Sequence, residues 1–235
     1  MISIVLPVYN CFDELLLKLP ELKRILRSLN PQYEIIIVDD GSDHKTVIKD
    51  LLDENCWVLI NEKNSGKGYS VRRGMAAASG DHLIFMDGDF PFELEVIERI
   101  FKRLQLPDVD IIIGDRTLPG SSYSEATWLR SAGSKVISFI VSRFVTKGYY
   151  DTQCGIKGFK KDVAQDIFSR LTINGFSFDV ELIYVAIKRN YRIERIAVTV
   201  NKQLSSNVKV IIHGIEMVIN FFRIKINYSL GKYNK

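Results

Sequence analysis

Apolar positions along the chain alternate between two spacings. Short β-branched runs at Ile2–Val8, Glu34–Val38, Trp57–Ile60, His82–Phe85 and Asp110–Ile113 each end in a polar or glycine-bearing turn, the pattern of strands. Between them, Asp13–Leu29, Lys45–Leu52, Lys67–Ala78 and Glu93–Leu104 repeat apolar residues at helical intervals. This alternation predicts βαβ units and a mostly parallel, doubly wound α/β sheet with helices on both faces. No internal repeat, low-complexity segment or interdomain linker interrupts the 235 residues, a length that one α/β unit accommodates. The expected organisation is a domain over residues 1–207 followed by an amphipathic, basic segment over 208–235.

In sheets of this kind ligands bind beyond the carboxyl ends of the strands, and there the polar residues collect. Asn10 follows the first strand, Asp39-Asp40-Gly41-Ser42 the second and Asn64-Ser65-Gly66-Lys67-Gly68 the third. Asp87-Gly88-Asp89 follows the fourth and Gly114-Asp115-Arg116 the fifth, so five successive strand ends put polar side chains on one rim.

Composition narrows the class. With 46% hydrophobic and 26% charged residues the chain can build a large core, which excludes disorder. Cys11, Cys56 and Cys154 are odd in number and lack metal-ligand spacing, so they read as reduced thiols and buried small hydrophobes. No secretory signal is visible, because the first basic residue is Lys18, and a cytoplasmic location is expected. His44, His82 and His213 are scattered and receive no role. The net charge of +4 is too small to argue for nucleic acid, but from Lys202 onward the chain carries +5, leaving −1 for residues 1–201. The basic character therefore belongs to the tail, a candidate contact for an anionic surface.

Each polar cluster has a chemical reading beside a plainer one. Two carboxylates leaving a buried strand across a glycine, Asp87-Gly88-Asp89, suit Mg2+ or Mn2+, hard cations that bridge carboxylates to phosphates; the same tripeptide is also an ordinary turn. Asp39 and Asp40 can accept hydrogen bonds from a ribose or a nucleobase N–H, or close an Asp-Gly turn. Asn64-Ser65-Gly66-Lys67-Gly68 opens a helix like a phosphate cradle but lacks the Walker spacing, which argues against a P-loop NTPase.

The ordered set Val5-Leu6-Pro7-Val8-Tyr9-Asn10, Val38-Asp39-Asp40-Gly41-Ser42, Asn64-x-Gly66-Lys67-Gly68, Asp87-Gly88-Asp89 and Gly114-Asp115-Arg116 resembles family-2 inverting glycosyltransferases of the GT-A fold, over roughly residues 1 to 200. The resemblance implies that the first two strand ends hold the nucleoside, with Pro7, Tyr9, Asn10, Asp39, Asp40, Asn64, Lys67, Gly68 and Gly88 as donor-binding candidates. It implies that Asp87 and Asp89 carry an Mg2+ or Mn2+ ion that clamps the diphosphate. Asp151-Thr152-Gln153-Cys154-Gly155-Ile156-Lys157 and Phe178-Asp179-Val180-Glu181-Leu182 resemble the branch that makes polyprenyl-phosphate sugars, the dolichyl-phosphate glucose and mannose synthases. There Arg116 and the Arg130-x-x-x-Ser134 pattern would hold the acceptor phosphate, with Gln153 nearby. One departure is Pro91, which stands where the mannose synthases place a further polar metal ligand.

An acceptor phosphate, anionic at neutral pH, needs no general base, whereas a sugar hydroxyl would need a carboxylate within reach; Asp151 and Asp179 are the candidates, unless they orient Lys157 or a neighbouring helix. The expected activity is transfer of a hexose from a nucleotide-diphosphate sugar, UDP-glucose first, to a polyprenyl phosphate with inversion. The alternatives are transfer to a saccharide hydroxyl in capsule, O-antigen or cell-wall polymer assembly, and a silent sugar-nucleotide-binding subunit with a membrane partner or in a homo-oligomer. No apolar run is long enough to span a bilayer. Val136–Val145 and Val208–Tyr228 mix apolar and basic residues and can lie on a membrane surface, or pack on the core or a second subunit.

Overall fold

A computed structural model describes residues 1–43, 52–121, 146, 148–200 and 210–234. The sheet is built from β1 (Ile2–Val8), β2 (Tyr33–Asp39), β3 (Cys56–Ile60), β4 (His82–Met86), β5 (Ile111–Asp115), β6 (Ile156–Lys160) and β7 (Ile193–Ala197), in the order β3-β2-β1-β4-β6-β5-β7. β1 pairs in parallel with β2 and β4, β2 with β3, and β5 with β7. Only β6 is antiparallel, to both β4 and β5, so β4 and β5 run the same way. The carboxyl ends of β1 to β5 therefore share one edge, and the start of β6 comes to that same edge.

The helices are α1 (Phe12–Leu29), α2 (Lys67–Ala77), α3 (Glu95–Leu104), α4 (Lys161–Phe168), α5 (Phe178–Lys188) and α6 (Val210–Ser229). Leu15, Leu19, Leu22 and Leu26 of α1 and Ile97, Ile100 and Leu104 of α3 recur at helical spacing and cover one face of the sheet, against Ile4, Leu6 and Ile84. On the other face Val71 and Met75 of α2, Ile167 of α4 and Ile183 of α5 pack with Val5, Val38, Phe85 and Phe159. Covered on both sides, β1, β2, β4 and β5 are buried almost throughout, as parallel strands must be. The architecture is the mixed, mostly parallel doubly wound sheet expected of a GT-A fold.

The strands expected from the sequence are all present, the first with the expected bounds and the others with ends displaced by no more than two residues. The expected helix at Lys45–Leu52 and the segment Val136–Val145 lie outside the described residues, apart from Leu52. β1 keeps its pairing to β4 only from Ile2 to Val5, so Pro7, which has no N–H, sits beyond the ladder and removes no bond from it. Past that point Gly88 N still donates to Pro7 O at 3.2 Å, which keeps the turn after β4 beside the end of β1.

Of the 208–235 segment, residues 210–234 form α6 and a short turn after it. Asn220, Ile224, Asn227 and Tyr233 are buried against the body, while Ile219, Phe222, Ile226 and Leu230 face outward. The buried side thus mixes asparagines with Ile224, and the outward side carries the large apolar residues. Among the described residues no helix is long and apolar enough to cross a membrane. Ile224→Ala should cost about 2–5 kcal/mol in urea unfolding, as truncation of a buried isoleucine does, whereas Ile226→Ala should cost under about 0.5 kcal/mol. Equal losses would show that α6 is rotated about its axis or detached.

Candidate active site at the carboxyl edge of the sheet

Beyond the ends of β1, β2 and β4 a cavity of about 420 Å³ opens at the sheet edge. Its walls come from Pro7, Val8, Tyr9 and Cys11 after β1, Asp40 after β2, Asn64, Gly66, Lys67 and Ser70 at the start of α2, Asp87, Gly88 and Asp89 after β4, and Phe176. Four of the five polar strand ends read from the sequence thus meet in one depression, along a stretch that spans 170 residues of chain.

The adjacent aspartates after β2 have different fates. Asp40 accepts from Asn61 Nδ2 at 2.7 Å and Ser65 N at 2.9 Å through Oδ1, and from Gly66 N at 2.8 Å through Oδ2. It ties the 64–66 loop to β2. Asp39 accepts from Ser42 N at 2.9 Å through Oδ1, and its Oδ2 is buried with no hydrogen-bond partner among the described residues. A buried, unmatched carboxylate oxygen is costly, and an N–H from a ligand would satisfy it. Asn10 is spent on joining strand ends: its N donates to Ser42 Oγ and its side chain exchanges bonds with Asp43.

The loop before α2 is shaped for close approach. Gly66 has φ +96°, and a Cβ there would lie 2.5 Å from Asn174 O. Tyr69 N donates to that same carbonyl, and Arg72 donates to Ile173 O and Asn174 Oδ1. Ser65 N, Gly66 N and Tyr69 N therefore all have protein acceptors, and the residue from this loop left facing the cavity with charge is Lys67.

Lys67 Nζ lies 2.6 Å from Asp87 Oδ1 and 3.9 Å from Asp179 Oδ2. Although burial works against it, Asp87 and Asp179 hold the Lys67 ammonium above its usual pKa. Asp179, on α5, is in turn held by Lys157 Nζ at 2.5 Å, a fully buried ammonium that also donates to Cys154 O. Asp89 borders the cavity, and desolvation by its walls, helped by the charge of Asp87, pushes its carboxyl up to about 6. Asp87 fits its place because residue 155 is glycine: a Cβ there would lie 2.0 Å from Asp87 Oδ2.

This donor set suits a divalent cation. Asp87 and Asp89 lie close enough for the charge of Asp87 to help raise the Asp89 carboxyl, and Asp87 already draws in an ammonium, so local charge favours a cation. Among the described residues no group of three or more His, Cys, Asp or Glu side chains could hold a metal. Two carboxylates complemented by substrate phosphates and water is the usual setting for Mg2+. Pro91, buried in the turn that follows, adds no ligand. The cysteines offer no rival chemistry, since burial pushes the Cys11 and Cys154 thiols up to about 12 and that of Cys56 up to about 11.

Arg116 follows β5. Its backbone N and Nε donate to Asp151 Oδ2 at 2.7 and 2.8 Å and its Nη2 to Oδ1 at 2.6 Å, a forked pairing that fixes the guanidinium plane. Asp151 thus orients Arg116 and not Lys157, whose partner is Asp179. Gln153 is exposed beside the start of β6. Arg130 and Ser134 lie outside the described residues. Gly68 packs against Ile173 O and Phe178 and serves the closeness of α2 to α5. The sequence reading passed over Phe176, whose only local signal is an aromatic among polar loop residues. It also passed over Asn61, which accepts from Arg73 at 2.6 Å and donates to Asp40 and Ser70.

A cavity beyond the carboxyl ends of parallel strands, with paired aspartates in its wall, on a mixed doubly wound sheet, is the arrangement of the GT-A class of glycosyltransferase. Residues 3–168 match the family model "Glycosyl transferase family 2", and the chain belongs to that family. It is 30% identical over 248 residues to a dolichyl-phosphate beta-glucosyltransferase of Dictyostelium discoideum, across 98% of this chain and 75% of that one. The Homo sapiens protein of the same name is 30% identical over 252 residues, across 99% and 77%. Among solved structures, mannosyl-3-phosphoglycerate synthase from Rubrobacter xylanophilus superposes with TM-score 0.72 at 16% identity, across 96% of this chain and 74% of that one. Glucosyl-3-phosphoglycerate synthase from Mycobacterium tuberculosis, crystallised with Mg2+ and UDP, superposes with TM-score 0.69 at 16% identity, across 95% and 79%. At such identities these two structures establish the shared fold.

The buried pair beneath the cavity gives a direct test. Lys157→Ala leaves Asp179 without its nearest cation and should cost about 3–5 kcal/mol in urea unfolding. A loss below about 1 kcal/mol would mean that Asp179 is neutral in the folded protein and the pair is not needed.

Proposed function

We propose that this chain transfers glucose from UDP-glucose to a polyprenyl phosphate, with inversion at the sugar's anomeric carbon. The observation that carries the donor half is Asp39: a buried carboxylate oxygen without a hydrogen bond among the described residues, next to the cavity residue Asp40, would be matched by the ring N–H of uracil. The 30% identity to dolichyl-phosphate beta-glucosyltransferases over nearly the whole chain supports glucose and a lipid phosphate as the two substrates.

Asp87 and Asp89 would hold Mg2+ or Mn2+, which supplies positive charge to the diphosphate leaving group. Lys67 stays cationic beside them and adds a second positive charge to that region. Pro7, Tyr9 and Gly88 frame the nucleotide, while Asp40, Asn64 and Gly68 shape the loop that receives it. The acceptor phosphate is already anionic near neutral pH, with a second pKa of about 6, so its oxygen attacks without a general base. Asp151 and Asp179 then act through the cations they hold. Asp151 presents the Arg116 fork to the acceptor phosphate, together with Arg130, Ser134 and Gln153, and Asp179 anchors the floor under Asp87.

A lipid acceptor requires a membrane surface. The outward stripe of Ile219, Phe222 and Ile226 on α6, flanked by Arg223 and Lys232, provides an apolar face among basic residues. Such a face binds the headgroup boundary by burial and by attraction to anionic lipid, each cation contributing about 1 kcal/mol.

Two measurements test the reading. Asp39→Asn keeps the shape but turns an acceptor toward a donor, and should weaken UDP binding in Mn2+ by roughly ten- to a hundredfold in calorimetry, the worth of a bond to a charged group. Unchanged affinity would remove the nucleobase from Asp39. The intact chain should co-sediment with anionic liposomes, less so as salt rises, and the triple variant Ile219→Ser, Phe222→Ser, Ile226→Ser should not. Equal sedimentation of the two would place the membrane contact elsewhere.

A further inference from the structure

Glu181 is fully buried on α5, yet it belongs to neither the metal-binding pair nor the Lys157–Asp179 pair. Its four contacts are all donors from two other parts of the chain. Thr172 N and Ile173 N donate to Oε2 at 2.9 Å each, and Thr172 Oγ1 to Oε1 at 2.7 Å. The fourth donor is the hydroxyl of Tyr233, third from the C-terminus, at 2.7 Å from Oε1. An ionised carboxylate can only accept, and bonds to it are the strong kind. Burial and the charge of Glu181 push the Tyr233 phenol up, so it remains a donor throughout the neutral range.

The segment held in this way is the loop from Leu171 to Ser177. Its C-terminal partners approach at two further points: Asn227 Nδ2 donates to Thr172 Oγ1 at 3.1 Å, and Glu216 Oε1 comes within 2.7 Å of where a Gly175 Cβ would lie. On its other side the loop grips the start of α2 through the Asn174 carbonyl and Arg72. Between these two sets of contacts sits Phe176, 47% exposed, in the wall of the cavity with Lys67 and Asp87.

We propose that Glu181 and Tyr233 are positioning residues for the donor site: they hold the 171–177 loop, and the loop sets Phe176 against the bound nucleotide sugar. This rests on the donor-site reading above. The turn that follows α6 is therefore part of the donor site's frame. A side chain lost from the last three residues is felt more than 160 residues away in sequence, at Lys67 and its neighbours.

The test separates the clamp from the nucleotide. Hydrogen exchange of the full-length chain, followed in peptides covering 171–177, should be faster in Tyr233→Phe and in Glu181→Gln than in wild type, because the Thr172 and Ile173 amides lose a rigid acceptor. UDP affinity in Mn2+, measured by calorimetry, should fall about three- to tenfold in Tyr233→Phe. In the double variant with Phe176→Ala the affinity should equal that of Phe176→Ala alone, since residues acting through one another do not add. Unchanged exchange in both variants overturns the clamp. Faster exchange with unaltered UDP affinity, or losses that multiply in the double variant, overturns the positioning role. A wild-type chain that binds no UDP overturns the donor reading itself, and the inference falls with it for that separate reason.

Discussion

Three carboxylates, Asp87, Asp89 and Asp179, crowd the edge where β4 meets the start of β6, and the fold around them is arranged to make that crowding tolerable. Lys157 neutralises Asp179 inside the protein, Lys67 bridges toward Asp87, and Asp89 is left with a carboxyl pushed up to about 6. Removing one member of such a set leaves a buried charge unmatched, which costs more than the intact set contributes. The antiparallel strand β6 exists in this sheet at the place where it can do two things for the site. Its first residues bring Lys157 under the cavity, and Gly155 just before it yields the space that Asp87 occupies. A turn that is sterically demanding follows Asp89, with Phe90 at φ 48°, a conformation a bulky residue rarely adopts, held by a buried ring and a bond from Phe90 N to Asp87 O.

Strand ends were legible in the sequence because parallel strands are short apolar runs with polar terminations, and both signals are local. The same locality explains what was missed. Ile156–Lys160 contains Lys157, Gly158 and Lys160 and does not read as a strand; its buried lysine is admissible only because Asp179 arrives from twenty-two residues further on. α5 is buried from Phe178 to Ala186, so it has no polar face and no helical period to detect. Asp39 and Asp40 are the sharpest case. Two identical, adjacent residues read alike as nucleoside ligands, and what separates them is that Asn61, Ser65 and Gly66 satisfy one and leave an oxygen of the other alone.

The same distinction runs through the arginines. Arg116 was read as a free fork for phosphate, on the chemistry of the guanidinium and its position after β5. In the folded chain its plane is set by Asp151, which was itself read as a base or as an orienter of Lys157. A carboxylate that fixes an arginine reduces the entropy lost when that arginine meets a phosphate, at the expense of some of its charge. Such a pair fits a site that must present a fixed fork to a small dianion better than it fits proton abstraction, because three hydrogen bonds from Arg116 already occupy both oxygens of Asp151.

α6 resolves an ambiguity that sequence cannot. A helix with apolar residues on most of its surface is ordinarily a buried one, yet over its described side chains, from Ile219 onward, α6 is buried on one side and exposed on the other. The covered side is unusual in carrying polar groups: Asn220, Asn227 and, beyond the helix end, Tyr233 are buried there together with Ile224. Buried polar groups need partners, and Asn227 and Tyr233 find theirs in Thr172 and Glu181, which makes the docking of α6 directional in a way that apolar contact is not. The outward side has the reverse character, apolar at Ile219, Phe222 and Ile226 where water would favour polar residues. The buried asparagines order the helix on the protein, and exposed Ile219, Phe222 and Ile226, interspersed with Arg223, give it an outer face of different character. That division allows the outer face to meet a lipid surface without loosening the contacts that hold the loop beside the cavity.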